Sequence, residues 1–212
     1  MDNEPVVLSD FQLDALKEIG NVGAGNAATA LSQMVGKPID MSVAKVLVLR
    51  TDAIADFLGG NEKNVAAVHM PVYGELPGTA LIFFSLERLP DLTSMLIGKR
   101  EEDPLDLSEL GQSAVKELGS ILAGAYLSAI FRFVHIQMIH GIPALVIDMA
   151  QAILDTVLVE LEQKEEVAIV IESLFMEDEK RLTGSFFFLP EAGSLQKFFK
   201  AFSRSMGMPG DA

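Results

Sequence analysis

No cysteine occurs among the 212 residues. Disulfides, thiolate metal sites and thiol nucleophiles are excluded together, and this usage fits a reducing compartment. Positive charge is scarce. The 16 Lys and Arg stand against 30 Asp and Glu, a formal net charge of −14. A polyanion such as nucleic acid would be repelled by this chain. No apolar run approaches the ~18–20 residues of a membrane span. The start, MDNEPVVLSD, lacks the basic region and apolar stretch of a signal peptide. These absences predict a soluble, cytoplasmic protein. Metal-ligand spacing is missing as well. His69, His135 and His140 match no ligand pattern and HExxH does not occur, so neither a metal site nor a cofactor of the chain's own is expected.

What is present reads as a globular chain: half of the residues are apolar and 22% are charged. ALKEIGNVGAGNAATA (15–30) aligns without a gap on AVKELGSILAGAYLSA (114–129). Ala15, Lys17, Glu18, Gly20, Ala24, Gly25 and Ala30 return as Ala114, Lys116, Glu117, Gly119, Ala123, Gly124 and Ala129. Two further echoes follow, VAAVHM (65–70) with VAIVIE (167–172) and GTALIFF (78–84) with GSFFFL (184–189). This is the pattern of an internal duplication. The first repeat covers about 10–99 and the second about 106–205, with the charged REEDPLD (100–106) as a surface loop between them.

Each half predicts the same order. A long helix opens at Ser9 or Asp10 and runs to about Val35, where Gly36 and Pro38 end it. A strand over 39–49, a short helix over 52–58, a hairpin from VAAVHMPVY through GELPG to TALIFFS and a helix at 87–97 follow. The second half gives helix 106–133, strand 138–147, helix 149–163, strand 166–176, a turn at EDEKR, strand 182–189 and helix 192–205. Hairpin-linked strands between helices indicate an α+β fold with antiparallel pairing. We expect one domain over 1–212, two-layered and pseudo-twofold, with long helices packed on the sheet. The Phe-rich FFF (186–188) and FFKAF (198–202) read as core.

The glycines of KEIGNVGAGNAATAL (17–31) imitate a nucleotide loop, but a dinucleotide loop follows a strand and these lie inside a helical pattern. At 100° per residue, Leu13, Leu16, Gly20, Gly23, Ala24, Ala27, Leu31 and Met34 share one side, with Asp14, Glu18, Asn21, Gly25, Thr29 and Ser32 on the other. The first side is a core face whose small middle admits close packing. On the second, Glu18 and Asn21 project together at i and i+3, beside the bare surface of Gly25. A carboxylate, a carboxamide and an empty spot suit the docking of a partner's edge.

EIGNVGAGNAATAL, its copy ELGSILAGAYLSAI and VIDM (146–149) resemble the CheC/CheX/FliY family of chemotaxis phosphatases, over about residues 10–205. The resemblance implies hydrolysis of the phosphoaspartate on the response regulator CheY by in-line attack of water. Asn21 would hold that water through its C=O, Glu18 would pair with a Lys of the regulator, and the Asp14, Gly25 and Thr29 face would enter the regulator's cleft. Mg²⁺ would sit on CheY. The second copy carries Glu117 and Ser120, and a hydroxyl has a shorter reach than a carboxamide, so that site is expected to be weak or inactive. Ile121 and Leu127, in place of Val22 and Ala28, are the neighbours expected to obstruct it.

A second partner, the receptor deamidase CheD, is also implied. LVIDMAQAILDTVLVELEQ (145–163) reads as a helix bearing Ile147, Ile153, Leu154, Val157, Leu158 and Leu161, much longer than its counterpart TDAIADFLGG. Asp148, Gln151 and Asp155 would make its polar contacts, unless the helix only covers the sheet. The alternative function is a regulatory adaptor that binds CheD and phosphorylated CheY with little catalysis.

Overall fold

Ser9 starts the first helix. Its hydroxyl accepts from the Gln12 N–H while the Gln12 side chain accepts from the Ser9 N–H, a reciprocal cap worth about 1 kcal/mol. The structure, a computed structural model, describes residues 9–100, 102–161, 167–177 and 180–205. In chain order the elements are α1 (Asp10–Val35), β1 (Asp40–Arg50), α2 (Ile54–Phe57), β2 (Asn64–Gly74), β3 (Gly78–Ser85), α3 (Leu89–Ile97), α4 (Glu109–Val134), β4 (Met138–His140), β5 (Ala144–Met149), α5 (Ala150–Glu160), β6 (Val167–Glu177), β7 (Lys180–Pro190) and α6 (Ser194–Ser205). Gly36 ends α1 at φ +70°, and His135 occupies the same left-handed conformation at the end of α4.

All strands pair antiparallel in the order β1-β6-β7-β3-β2, with β4 and β5 end to end on the outer edge of β2. Exchanging β1, β2 and β3 with β4/β5, β6 and β7 leaves this order unchanged. The 26-residue helices α1 and α4 pack on each other and, with α3 and α6, cover one face of the sheet. A smaller cluster on the opposite face joins Ile54 and Ala55 of α2 and Ile153, Leu154 and Val157 of α5 to Leu81, Phe83 and Phe187. Phe186 to Phe188, Phe198 and Phe202 are buried, as core residues should be.

Three details differ from the sequence reading. The VAAVHM and VAIVIE echoes are one residue out of phase. Val68 lies in the cluster beneath α1 and α4, whereas its partner in the alignment, Val170, lies in the cluster on the other face. Strand side chains alternate faces, so a shift of one residue exchanges them. The strand expected over 138–147 is broken at Gly141-Ile142-Pro143 into β4 and β5, where β1 runs unbroken with one register shift between Val43 and Lys45. Ile147 belongs to β5 rather than to the following helix, which begins at Ala150. That helix beyond residue 161, and Asp178 and Glu179 of the EDEKR turn, lie outside the described residues. In addition, α4 has the length and apolar composition of a membrane-spanning helix, and half of that stretch is buried in the fold.

The glycines seat the long helices. A Cβ on Gly23 would overlap the Tyr126 ring, one on Gly119 would stand 2.6 Å from Val68, and one on Gly20 would stand 3.3 Å from Val43. Tyr126 is fully buried. Its ring packs on Phe186 with centroids 4.9 Å apart, and its hydroxyl bonds Ser173 Oγ on β6. Burial pushes the phenol up to about 12, against the lowering effect of Ser173.

Two outcomes follow from this packing. Gly23→Ala lowers stability by about 1–2 kcal/mol, because overpacking against Tyr126 exceeds the helix preference of Ala over Gly; the shift in urea midpoint reads it. The second concerns alkaline pH. The unfolded phenol ionises near 10 and the folded one near 12, so the folded state holds the proton longer. Its contribution is present below pH 10 and is lost as pH rises toward 12. Urea midpoints across that range should fall less steeply for Tyr126→Phe than for the unaltered chain.

Candidate functional site

Helix α1 sorts its residues by burial as the 100° projection requires. Leu16, Gly20, Gly23, Ala24, Ala27 and Leu31 of the expected core side are buried, with Ala15 and Ile19 beside them, whereas Leu13 and Met34 at its two ends are half-buried; Asp14, Glu18, Asn21, Gly25 and Thr29 are exposed. Ser32 departs from the expected outer face. It is half-buried, and its Oγ accepts from the Ile39 N–H at 2.9 Å, tying the helix end to the start of β1.

On the exposed face, Lys17 Nζ lies 3.0 Å from Asp14 Oδ1. Such an exposed pair is worth at most about 1 kcal/mol, and it occupies the neighbouring cation. Glu18 and Asn21 have no hydrogen-bond or ionic partner among the described residues. One turn beyond, a Cβ built on Gly25 would have nothing within 4 Å. The Thr29 hydroxyl donates to the Gly25 carbonyl at 3.0 Å, so it is committed to the helix. A carboxylate, a carboxamide and an unobstructed stretch of backbone therefore stand together on one exposed helix face. Among the described residues no three His, Asp or Glu side chains converge as a metal site. An uncharged carboxamide free on both its C=O and its NH₂ can accept from a water and donate to an anion at once.

The equivalent face of α4 is different. Glu117 is exposed, but Ser120 and Gly124 are half-buried. His140 of β4 lies over Gly124, its Nε2 3.6 Å from where a Cβ would be. Leu127, expected to obstruct this face, is buried, and Ile121 is half-buried against the core. Further along α4, Leu127, Ser128 and Phe131 line a cleft of about 430 Å³ with Tyr73, Gly74, Gln137, Met138 and Ile139. Sequence reasoning set His140 aside because it tested only ligand spacing. The Gly-Ile-Pro interruption in a strand pattern was the available signal that something local happens there.

Asp148, one residue before the end of β5, accepts from the Met149 N–H at 2.7 Å. On α5, Gln151 Nε2 donates to Asp155 Oδ1 at 2.7 Å. Gln151 thus lies in the first turn of α5 and Asp155 midway along it, with Val146 and Met149 exposed. Asp148 and Val146 also line a groove of about 190 Å³ with His69, Ala152, Ile153 and Thr156. The buried side of α5 does cover the sheet.

The profile of the CheC-like family matches residues 11–43, which are α1 and the beginning of β1. The CheY-P phosphatase CheC of Bacillus subtilis (strain 168) is 34% identical over 203 residues, 94% of this chain and 97% of that protein. The flagellar motor switch phosphatase FliY of the same organism is 28% identical over 120 residues, 56% of this chain and 31% of its own length. Among solved structures, Thermotoga maritima FliY matches with a TM-score of 0.74 at 20% identity, covering 94% of this chain and 100% of that one, and so shares the fold of helices on an antiparallel sheet. With near-complete coverage at that level of identity to the B. subtilis protein, the chain belongs to the CheC-like family.

Proposed function

We propose that this chain is a phosphatase that hydrolyses the phosphoaspartate of a CheY-type response regulator. One observation carries the reading: on α1 an uncommitted carboxylate and carboxamide stand beside a helix-interior glycine with open space above it. The name of the B. subtilis relative, CheY-P phosphatase, supports it.

Hydrolysis of an aspartyl phosphate needs a water in line with the phosphorus, and little covalent work falls to the protein. Positioning is then the main lever. The Asn21 C=O accepts from the water and holds it on the attack line; the amide does not titrate and so is no general base. Glu18, one turn before it on the same face, pairs with a Lys of the regulator and fixes the register of the two proteins. The bare Gly25 backbone admits the regulator's edge. Asp14 stays in the docking face, although Lys17 shares its charge. The Mg²⁺ that balances the phosphoryl charge belongs to the regulator. On α4, Glu117 remains but Ser120 has the shorter reach, and that face contributes little.

A second reading, an adaptor that binds CheD and phosphorylated CheY, is favoured by one observation. Exposed Val146 and Met149 flank Asp148 beside a groove under α5, a mixed apolar and acidic surface distinct from the α1 face. The two readings share one protein if α5 holds a regulator of the enzyme.

Asn21→Ala should slow dephosphorylation of phosphorylated CheY by about 100-fold or more with regulator affinity almost unchanged. Full retained activity would remove Asn21 from the mechanism. Glu18→Lys should weaken regulator binding by about tenfold, measured by titration calorimetry, as well as slow the reaction. For α5, Asp148→Lys should weaken CheD binding while leaving the unassisted rate unchanged. Wild-type CheD affinity in that variant would reduce α5 to a cover for the sheet.

A further inference from the structure

We infer that His140 is a gate, whose ring closes the α4 face to a regulator, so that Ser120 is only half the reason why this face is silent. The inference rests on the phosphatase reading of the α1 face. It extends that reading to a residue whose matching position in the first half is Met41, which packs on the core.

The contrast is between two glycines at matching places. Above Gly25 there is nothing within 4 Å. Above Gly124, His140 Nε2 and Cδ2 lie 3.6 and 3.9 Å from the Cβ position, at ordinary contact distance. The ring is anchored. A carbonyl oxygen only accepts, so His140 Nδ1 carries the proton it donates to the Gly141 carbonyl at 3.0 Å. The next residue is fixed as well: the Gly141 N–H donates to the Pro71 carbonyl at 2.8 Å, and a Cβ on Gly141 would stand 2.8 Å from the Pro71 ring. Within β4, His140 pairs with Val72 of β2. The strand break at 141–143 is what separates β4 from β5. In the first half β1 has no such break, and its Met41 and Val43 pack on the main core. The edge that α1 presents freely is thus covered on α4 by the neighbouring strand, and Ser120 and Gly124 are half-buried where Asn21 and Gly25 are exposed.

The test uses the full chain with Asn21→Ala to silence the first face. Into it go Ser120→Asn, His140→Ala, and both together. Two readouts are taken: the dephosphorylation rate of phosphorylated CheY, and the number of beryllofluoride-loaded regulators bound per chain. Ser120→Asn alone should restore little activity. The combination should restore activity several-fold above it, up to one site's worth, since separate sites add, and should bind a second regulator. His140→Gln keeps the bulk and should leave the face closed. The gate is overturned if Ser120→Asn alone restores as much as the combination, or if the folded combination still binds one regulator and stays inactive. If Asn21→Ala by itself keeps full activity, the phosphatase assignment of the first face fails instead, and the regulator count still decides the gate. His140→Ser replaces the alanine variant if circular dichroism shows that the latter does not fold.

Discussion

The close approach of the two long helices to the sheet and to each other organises everything else. At Gly20 and Gly119 the helix backbone comes near Val43 and Val68 of the strands, and at Gly23 it makes room for the ring of Tyr126. Each glycine inside a helix costs about 1 kcal/mol relative to alanine, and dense packing offsets it. Once α1 is seated in this way, its rotation about its own axis is fixed. The side that carries Glu18 and Asn21 then has nowhere to go but outward. The hydrogen bond between Tyr126 and Ser173 links α4 to β6 through the same contact, so both helices are positioned by one interlocked layer.

Much of this was legible because helical periodicity and the internal echo report on the same residues. The buried stripe from Leu16 to Leu31, the exposed face from Asp14 to Thr29 and the hairpins all follow from spacing alone. What spacing could not show is phase between distant strands. Val68 and Val170 look equivalent in sequence, yet their side chains leave the sheet on opposite sides, because apolar residues on both faces hide the alternation in fully buried strands. Ile147 was similarly ambiguous. A short apolar run before a helix reads as its first turn unless pairing with β2 is known. His140 was invisible as a cover for Gly124, since its place depends on a tertiary contact between β4 and α4.

The two helical faces show how one scaffold yields two surfaces. They share a glutamate at the same position and a glycine about two turns later. They differ in an amide, in one carboxylate (Asp14 against Ser113) and in what the adjoining strand does. The unbroken β1 stays away from its helix face, and the broken β4 leans over the other and builds a cleft with Tyr73, Phe131 and Ile139. The net charge of −14 suits partners that present lysine or arginine, and electrostatic complementarity of that sort governs encounter rates more than final affinity.

Gly23 and Gly25 are two residues apart on one helix, yet they would age differently under selection. At position 23 a larger residue is rejected by packing, so folding alone preserves the glycine. At position 25 nothing in the fold objects to a side chain, and a screen for thermal tolerance would replace that glycine readily, as it would any exposed helical glycine. If the face meets another protein, such a screen would harden the molecule and blunt it in the same step. Position 25 is therefore where sequence drift measures the demands of recognition free from those of folding.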